Sequence, residues 1–137
     1  MNKLSLFDSN IHLLKKTLDL RSANQRVIAA NIANADTPGY APARFEFERE
    51  LQQAVQGKGA PKATHPNHIP IGGGANVESV TGTITRDPDK TGIGDQNGVS
   101  IDQEMMALSE NELIYETAAQ LLKKKLSLLS YVVQGGQ

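Results

Sequence analysis

The residues of this chain best suited to chemistry lie in its middle, and each set falls short of a working site. His65-Pro66-Asn67-His68 places two imidazoles three residues apart. A zinc ion needs one or two further ligands in defined geometry. The prolines argue against a helix that would give the spacing meaning, and no third ligand stands nearby. Asp87-x-Asp89-x-Thr91-Gly92 imitates the start of a calcium loop, but the place of the closing bidentate Glu is taken by Gly98. Gly72-Gly73-Gly74 lacks the Lys-Ser/Thr of a phosphate loop and reads as a turn. Lys123-Lys124-Lys125 is a solvated face, a channel lining or a contact for acidic residues of a neighbour; the sequence does not choose. No nucleophile stands beside a base, and the chain has no cysteine. The expectation is a protein that is not an enzyme, with no catalytic residue, no metal and no cofactor.

Composition narrows the classes further. The formal net charge is −1, which lacks the basic excess of a nucleic-acid binder or a polybasic membrane footprint. Aromatic residues make up 4% and tryptophan is absent, so large anchors for a globular core are scarce. No segment approaches the roughly 20 apolar residues that span a bilayer. Asp8, His12, Lys15 and Lys16 interrupt any apolar core of a signal peptide near the N-terminus.

What positions these residues is a pair of long terminal helices. The first is predicted over residues 8–35. Ile11, Leu14 and Leu18 follow Phe7 at alternating four and three, and Ile28 and Ile32 extend the apolar face. Asp8 or Ser9 is placed to cap its start. Asp36-Thr37-Pro38-Gly39 ends it, because the residue before a proline is pushed out of the α region and Pro-Gly suits a type II turn. The second helix is predicted over 100–134. Ile101, Met105, Leu108, Glu112, Tyr115, Ala119, Leu122, Leu126, Leu129 and Val133 alternate four and three throughout, and only Glu112 is not apolar or aromatic. That is a coiled-coil row. Ile114, Ala118, Leu121, Leu128 and Val132 form a second stripe beside it. Ser100 with Gln103 makes a capping box, and Gly135-Gly136 supplies the stop.

Residues 41–99 between them hold most of the glycines and prolines. Phe47, Leu51 and Val55 are four apart, which predicts a short helix near 45–56, although Phe45 and Phe47 alone suit a strand. Val77–Thr85 alternates weakly enough for a β-hairpin at most. The fold class is therefore mainly α. Two long terminal helices pack as an antiparallel coiled coil, and the middle is irregular. Residues 1–40 with 100–137 make one coiled-coil domain and 41–99 a partly ordered middle segment.

Two helices alone cannot cover two adjacent stripes. Each Leu left in water forgoes roughly 1.5–3 kcal/mol, and a patch of them marks a protein–protein surface. Either the middle folds back over both helices in a monomeric bundle, or neighbouring copies supply the missing walls. Repeated head to tail, the second solution builds a tube or filament.

The segment Asn31-Ile32-Ala33-Asn34-Ala35-Asp36-Thr37-Pro38-Gly39-Tyr40 resembles the N-terminal signature of the flagellar rod and hook family, Asn-x-x-Asn-x-x-Thr-x-Gly-Tyr. Asp95-Gln96-Asn97-Gly98, then Asp102 and Glu104-Met105, is similar to that family's acidic entry into its last helix. Asn111 and Tyr115 match its Asn-x-x-x-Tyr. The entry departs from the usual Asp-Gly-Asn at a single turn. The short middle, with no room for an inserted outer domain, points within the family to the proximal rod.

The resemblance implies a structural subunit that leaves the cell uncleaved through the flagellar type III export apparatus. It implies polymerisation in the periplasm into the drive-shaft of the basal body, with the terminal helices around a central channel. Expected partners are copies of the same chain, the adaptor FliE and the rod protein FlgC. Asn31, Asn34, Thr37, Pro38, Gly39 and Tyr40 become an assembly motif, their amides reaching last-turn carbonyls or a neighbour. A soluble cytoplasmic coiled-coil adaptor or secretion chaperone is the alternative, and it would use the same helical faces without export.

Overall fold

The apolar repeat of the first segment forms helix α1, Lys3–Ala33. The computed structural model describes residues 3–57, 76–86 and 98–135, with side chains from residue 9 onward. His65, His68, Gly72–Gly74 and the Asp87–Gly92 stretch lie outside the described residues. The helix runs straight through Asp8 and Ser9, so neither caps it. No proline or glycine separates Lys3 from Asp8, and extending an existing helix costs far less than starting one.

The stop falls where the sequence places it. The Asn34 N–H still donates to the Ala30 carbonyl at 3.1 Å, and the chain then turns at Thr37–Tyr40. The Tyr40 N–H donates to the Thr37 carbonyl at 3.3 Å, and Gly39 sits at φ 71°. Pro38 and Gly39 thus centre a type II turn, whose second central residue must take positive φ.

Both readings of Phe45 and Phe47 are realised, one after the other. Phe45 lies in strand β1, Ala43–Glu46, and Phe47 is the residue that precedes helix α2, Glu48–Val55. The Val77–Thr85 stretch forms no hairpin of its own. Val77–Ser79 is a single 3-10 turn, held by Asn76 Oδ1, which accepts from the Glu78 N–H at 3.0 Å. Strand β2, Thr83–Arg86, crosses instead to β1, antiparallel, with Phe45 opposite Ile84 and Ala43 opposite Arg86.

Two contacts direct β2 there. The Glu50 carboxylate accepts from the Thr81 N–H at 3.2 Å and the Gly82 N–H at 3.0 Å. Gly82, at φ 68°, lies so close to the Phe45 ring that a Cβ there would meet two ring carbons at 2.5 Å.

The small core joins the middle segment to α1. Leu20 packs with Phe47, Ala54 and Val80, and Phe45, Leu51 and Val77 surround them. The Phe45 and Phe47 rings are 5.1 Å apart. The Arg21 guanidinium lies 4.9 Å from the Phe47 ring centre and pairs with Glu48 at 3.0 Å. The middle therefore folds back over α1.

Helix α3, Ile101–Val133, runs antiparallel along α1. Asn24 of α1 meets Asn111 of α3, and further along Asn31 meets Glu104. The expected capping box is not formed. Ser100 has the extended backbone of a cap, but its side chain makes no cap hydrogen bond. Ser100 is exposed, where such a bond competes with water. Glu104 reaches to Asn31 from the first turn. No helix among the described residues is long and apolar enough to cross a membrane.

Candidate assembly site

At the end of α1, Asn31 is 1% exposed and uses both ends of its amide. Its Nδ2 donates to the Ala43 carbonyl at 2.8 Å and to Glu104 Oε2 at 3.1 Å. Its Oδ1 accepts from the Ala43 N–H at 2.9 Å and from the Tyr40 hydroxyl at 3.1 Å. The amide acts toward Ala43 as a neighbouring strand would, taking its N–H and its carbonyl together. One side chain thereby ties α1, the turn, β1 and the first turn of α3. A buried amide is tolerated only when so satisfied.

The rest of the motif supports this knot. Asn34 Nδ2 donates to the Ala30 carbonyl at 2.8 Å, while its Oδ1 accepts from the Thr37 hydroxyl at 3.3 Å. Tyr40 carries the Arg86 guanidinium over its ring at 5.8 Å, and Arg86 donates to the Ala41 carbonyl at 3.1 Å. Pro38 and Gly39 are exposed and shape the turn. Of the two partners expected for these amides, Asn34 takes a last-turn carbonyl, and Asn31 takes Ala43, Tyr40 and Glu104 of its own chain.

The helix-packing residues divide. On α1, Ile28 is buried, and Ile11, Leu14, Leu18 and Ile32 are half-buried. On α3, Leu108, Ala119, Leu122 and Leu129 are half-buried. Met105, Tyr115, Leu126 and Val133 are exposed within the single chain. The face that meets α1 is centred one residue away from the predicted row, on Glu104, Asn111 and Ala118, with Ala107, Ile114 and Leu122 beside them. Counting apolar residues passes over it because two of its positions are polar.

What remains open on α3 is a long apolar face. Met105, Met106, Leu113, Leu121, Leu128, Tyr131 and Val132 are all exposed, Val132 by 67% and Val133 by 79%. Near the end of the helix pair, Leu18 of α1 and Ala119, Leu122 and Leu126 of α3 line a shallow groove with little polar surface. Lys123 and Lys124 are exposed, and Lys125 is half-buried. Among the described residues, no group of three acidic, histidine or cysteine side chains is arranged to hold a metal ion. The geometry suits packing against other helices.

Comparison with known proteins agrees with that geometry. The family model described as flagella basal body rod protein matches residues 15–40, which end on the motif around Asn31. The flagellar basal body rod protein FlgB of Salmonella typhimurium is 32% identical over 139 residues, covering 97% of this chain and 99% of its own. The chain belongs to the FlgB family of flagellar basal body rod proteins. FlgB of Escherichia coli K12 is likewise 32% identical over 97% of the chain, and FlgB of Cereibacter sphaeroides 32% identical over 94%.

Within this FlgB-family chain, several positions have roles that the sequence did not assign to them. Phe47 and Val80 are each 1% exposed and anchor the middle on α1. Gly82 admits the Phe45 ring. Asn111 is 1% exposed; its Nδ2 donates to the Arg21 carbonyl at 2.9 Å, and its Oδ1 accepts from Asn24 Nδ2 at 3.0 Å. A signal for the last was present, since Asn24 and Asn31 are seven apart, as are Glu104 and Asn111.

Proposed function

We propose that this chain is a structural subunit of the flagellar rod, in its proximal part, which polymerises through α1 and α3 into a segment of the drive-shaft that transmits torque. The observation that carries this reading is the apolar face of α3, which neither α1 nor the middle segment covers. A helix with an unpartnered face of that length is completed by neighbouring helices.

Residues 1–40 and 100–137 form the inner coiled-coil domain, and 41–99 a partly ordered middle segment whose described part packs on α1. The motif Asn31–Tyr40 sets the angle at which the chain leaves the inner domain for the middle segment. Through Glu104 it also fixes the start of α3. The subunit reaches the periplasm through the flagellar type III export apparatus, without a cleaved signal. There its neighbours are further copies of itself, FliE at the base and FlgC above. It carries out no catalysis and takes no cofactor.

The test is truncation. A chain lacking Leu128–Gln137, expressed in its host in place of the full-length protein, should remain soluble and be exported but give no rods in isolated basal bodies. Normal rods built from the truncated chain would overturn the reading.

A further inference from the structure

Among the described residues, two layers of polar contact bridge α1 and α3, one heptad apart. In one, Asn24 donates to Asn111 at 3.0 Å and Asn111 donates to the Arg21 carbonyl at 2.9 Å; in the other, Asn31 donates to Glu104 at 3.1 Å. Asn31 and Asn111 are both 1% exposed, so neither amide has water as an alternative partner. We infer that these two layers are a register lock, which selects a single alignment of α1 against α3 and so fixes where the apolar face of α3 lies relative to the rest of the subunit.

A heptad-repeating pair of helices admits slips of seven residues that leave its apolar positions in contact. Here each such slip breaks one of the two layers. Moved one heptad in one direction, Asn31 meets Asn111, but the half-buried Asn24 faces Ala118, which offers no hydrogen bond. Moved the other way, Asn24 meets Glu104, but the buried Asn111 faces Thr17, whose hydroxyl already donates to the Leu13 carbonyl at 2.8 Å. Only the observed alignment satisfies both layers. The buried core of the middle segment packs on α1, and β1 reaches the first turns of α3 around a shared cavity, next to the Asn31–Glu104 layer. A buried polar pair at a helix seam commonly lowers stability while specifying register.

The absence of cysteine makes register directly readable. Leu18 and Ala119 line one groove across the pair, so L18C/A119C reports the observed alignment. I11C/A119C and Q25C/A119C, each displaced by seven on α1, report the two slips. In the otherwise unchanged full chain, mild oxidation should close only the L18C/A119C disulfide. In the N24L/N111L/E104L background the chain should stay helical, and one or both displaced pairs should close to an extent comparable with the first. Exclusive closure of L18C/A119C in that background would overturn the inference. A second measurement covers loss of folding in that variant. N111L alone should lower Tm, and adding N24L should recover most of the loss, because the stranded amide is gone. A double variant no more stable than N111L would equally contradict a coupled pair.

Discussion

Asn31 has the largest structural role of any single residue in the motif, and its neighbour Asn34 is a natural control. Replacing Asn31 with Ala leaves the Ala43 N–H and carbonyl and the Tyr40 hydroxyl without the partner they have now. Buried groups stranded in this way cost about 1–3 kcal/mol each, partly recovered where water enters. Asn31→Ala should therefore destabilise the isolated chain by about 2–4 kcal/mol in urea denaturation. Asn34→Ala, whose bonds to the Ala30 carbonyl and the Thr37 hydroxyl are exposed and local, should cost less, about 1 kcal/mol or below. At Gly82 the cause is steric. An added Cβ would meet the Phe45 ring at 2.5 Å, and the backbone is already at φ 68°. Gly82→Ala should cost about 2 kcal/mol or more, seen as a lower Tm, with Phe45 displaced.

At the scale of elements, the two terminal helices were legible in the sequence because their information is local. Alternating four-and-three spacing, a Pro-Gly stop and a C-terminal glycine pair each act within a turn or two. α3 accordingly begins and ends within a residue of expectation. The pairing of β1 with β2 was not legible. It joins Phe45 to Ile84 across the intervening middle segment, through Gly82 and Glu50, and no local pattern in Val77–Thr85 encodes so distant a partner. The face of α3 that meets α1 coincides only in part with the predicted row, for a related reason. Asn111 and Glu104 find their partners only in three dimensions, so counting apolar residues passes over the centre of the seam, while Leu108, Ala119, Leu122 and Leu129 of the row are half-buried beside it. The exposed members of that row and of the stripe beside it, Met105, Leu121, Leu126, Leu128 and Val132 among them, are what assembly would cover. Leu128→Glu with Val132→Glu should leave the urea stability of the lone chain within about 0.5 kcal/mol, since both residues are exposed there. The same double change should abolish incorporation into rods, measured by its absence from purified basal bodies. Loss of monomer stability together with normal incorporation would reverse this assignment.

For the whole molecule, the folding problem is divided unequally. The core of Leu20, Phe47, Ala54 and Val80 lets the middle segment cover α1, so this part of the chain satisfies itself. α3 gains one partner and needs more. A fully buried Leu or Val contributes roughly 1.5–3 kcal/mol, and the exposed side chains from Leu121 to Val133 hold that contribution in reserve for association. Family membership and this imbalance agree, since a rod subunit should be incomplete alone and complete in the polymer. The Asn24–Asn111 and Asn31–Glu104 layers add the condition that every copy present its open face in the same place. The central claim is that sister subunits cover α3, and a cryo-EM map of rods containing this chain tests it most directly. Leu121, Leu128 and Val132 should be buried there against helices of neighbouring copies; if these side chains instead face solvent, with the chains joined through β1 and β2, the account is wrong.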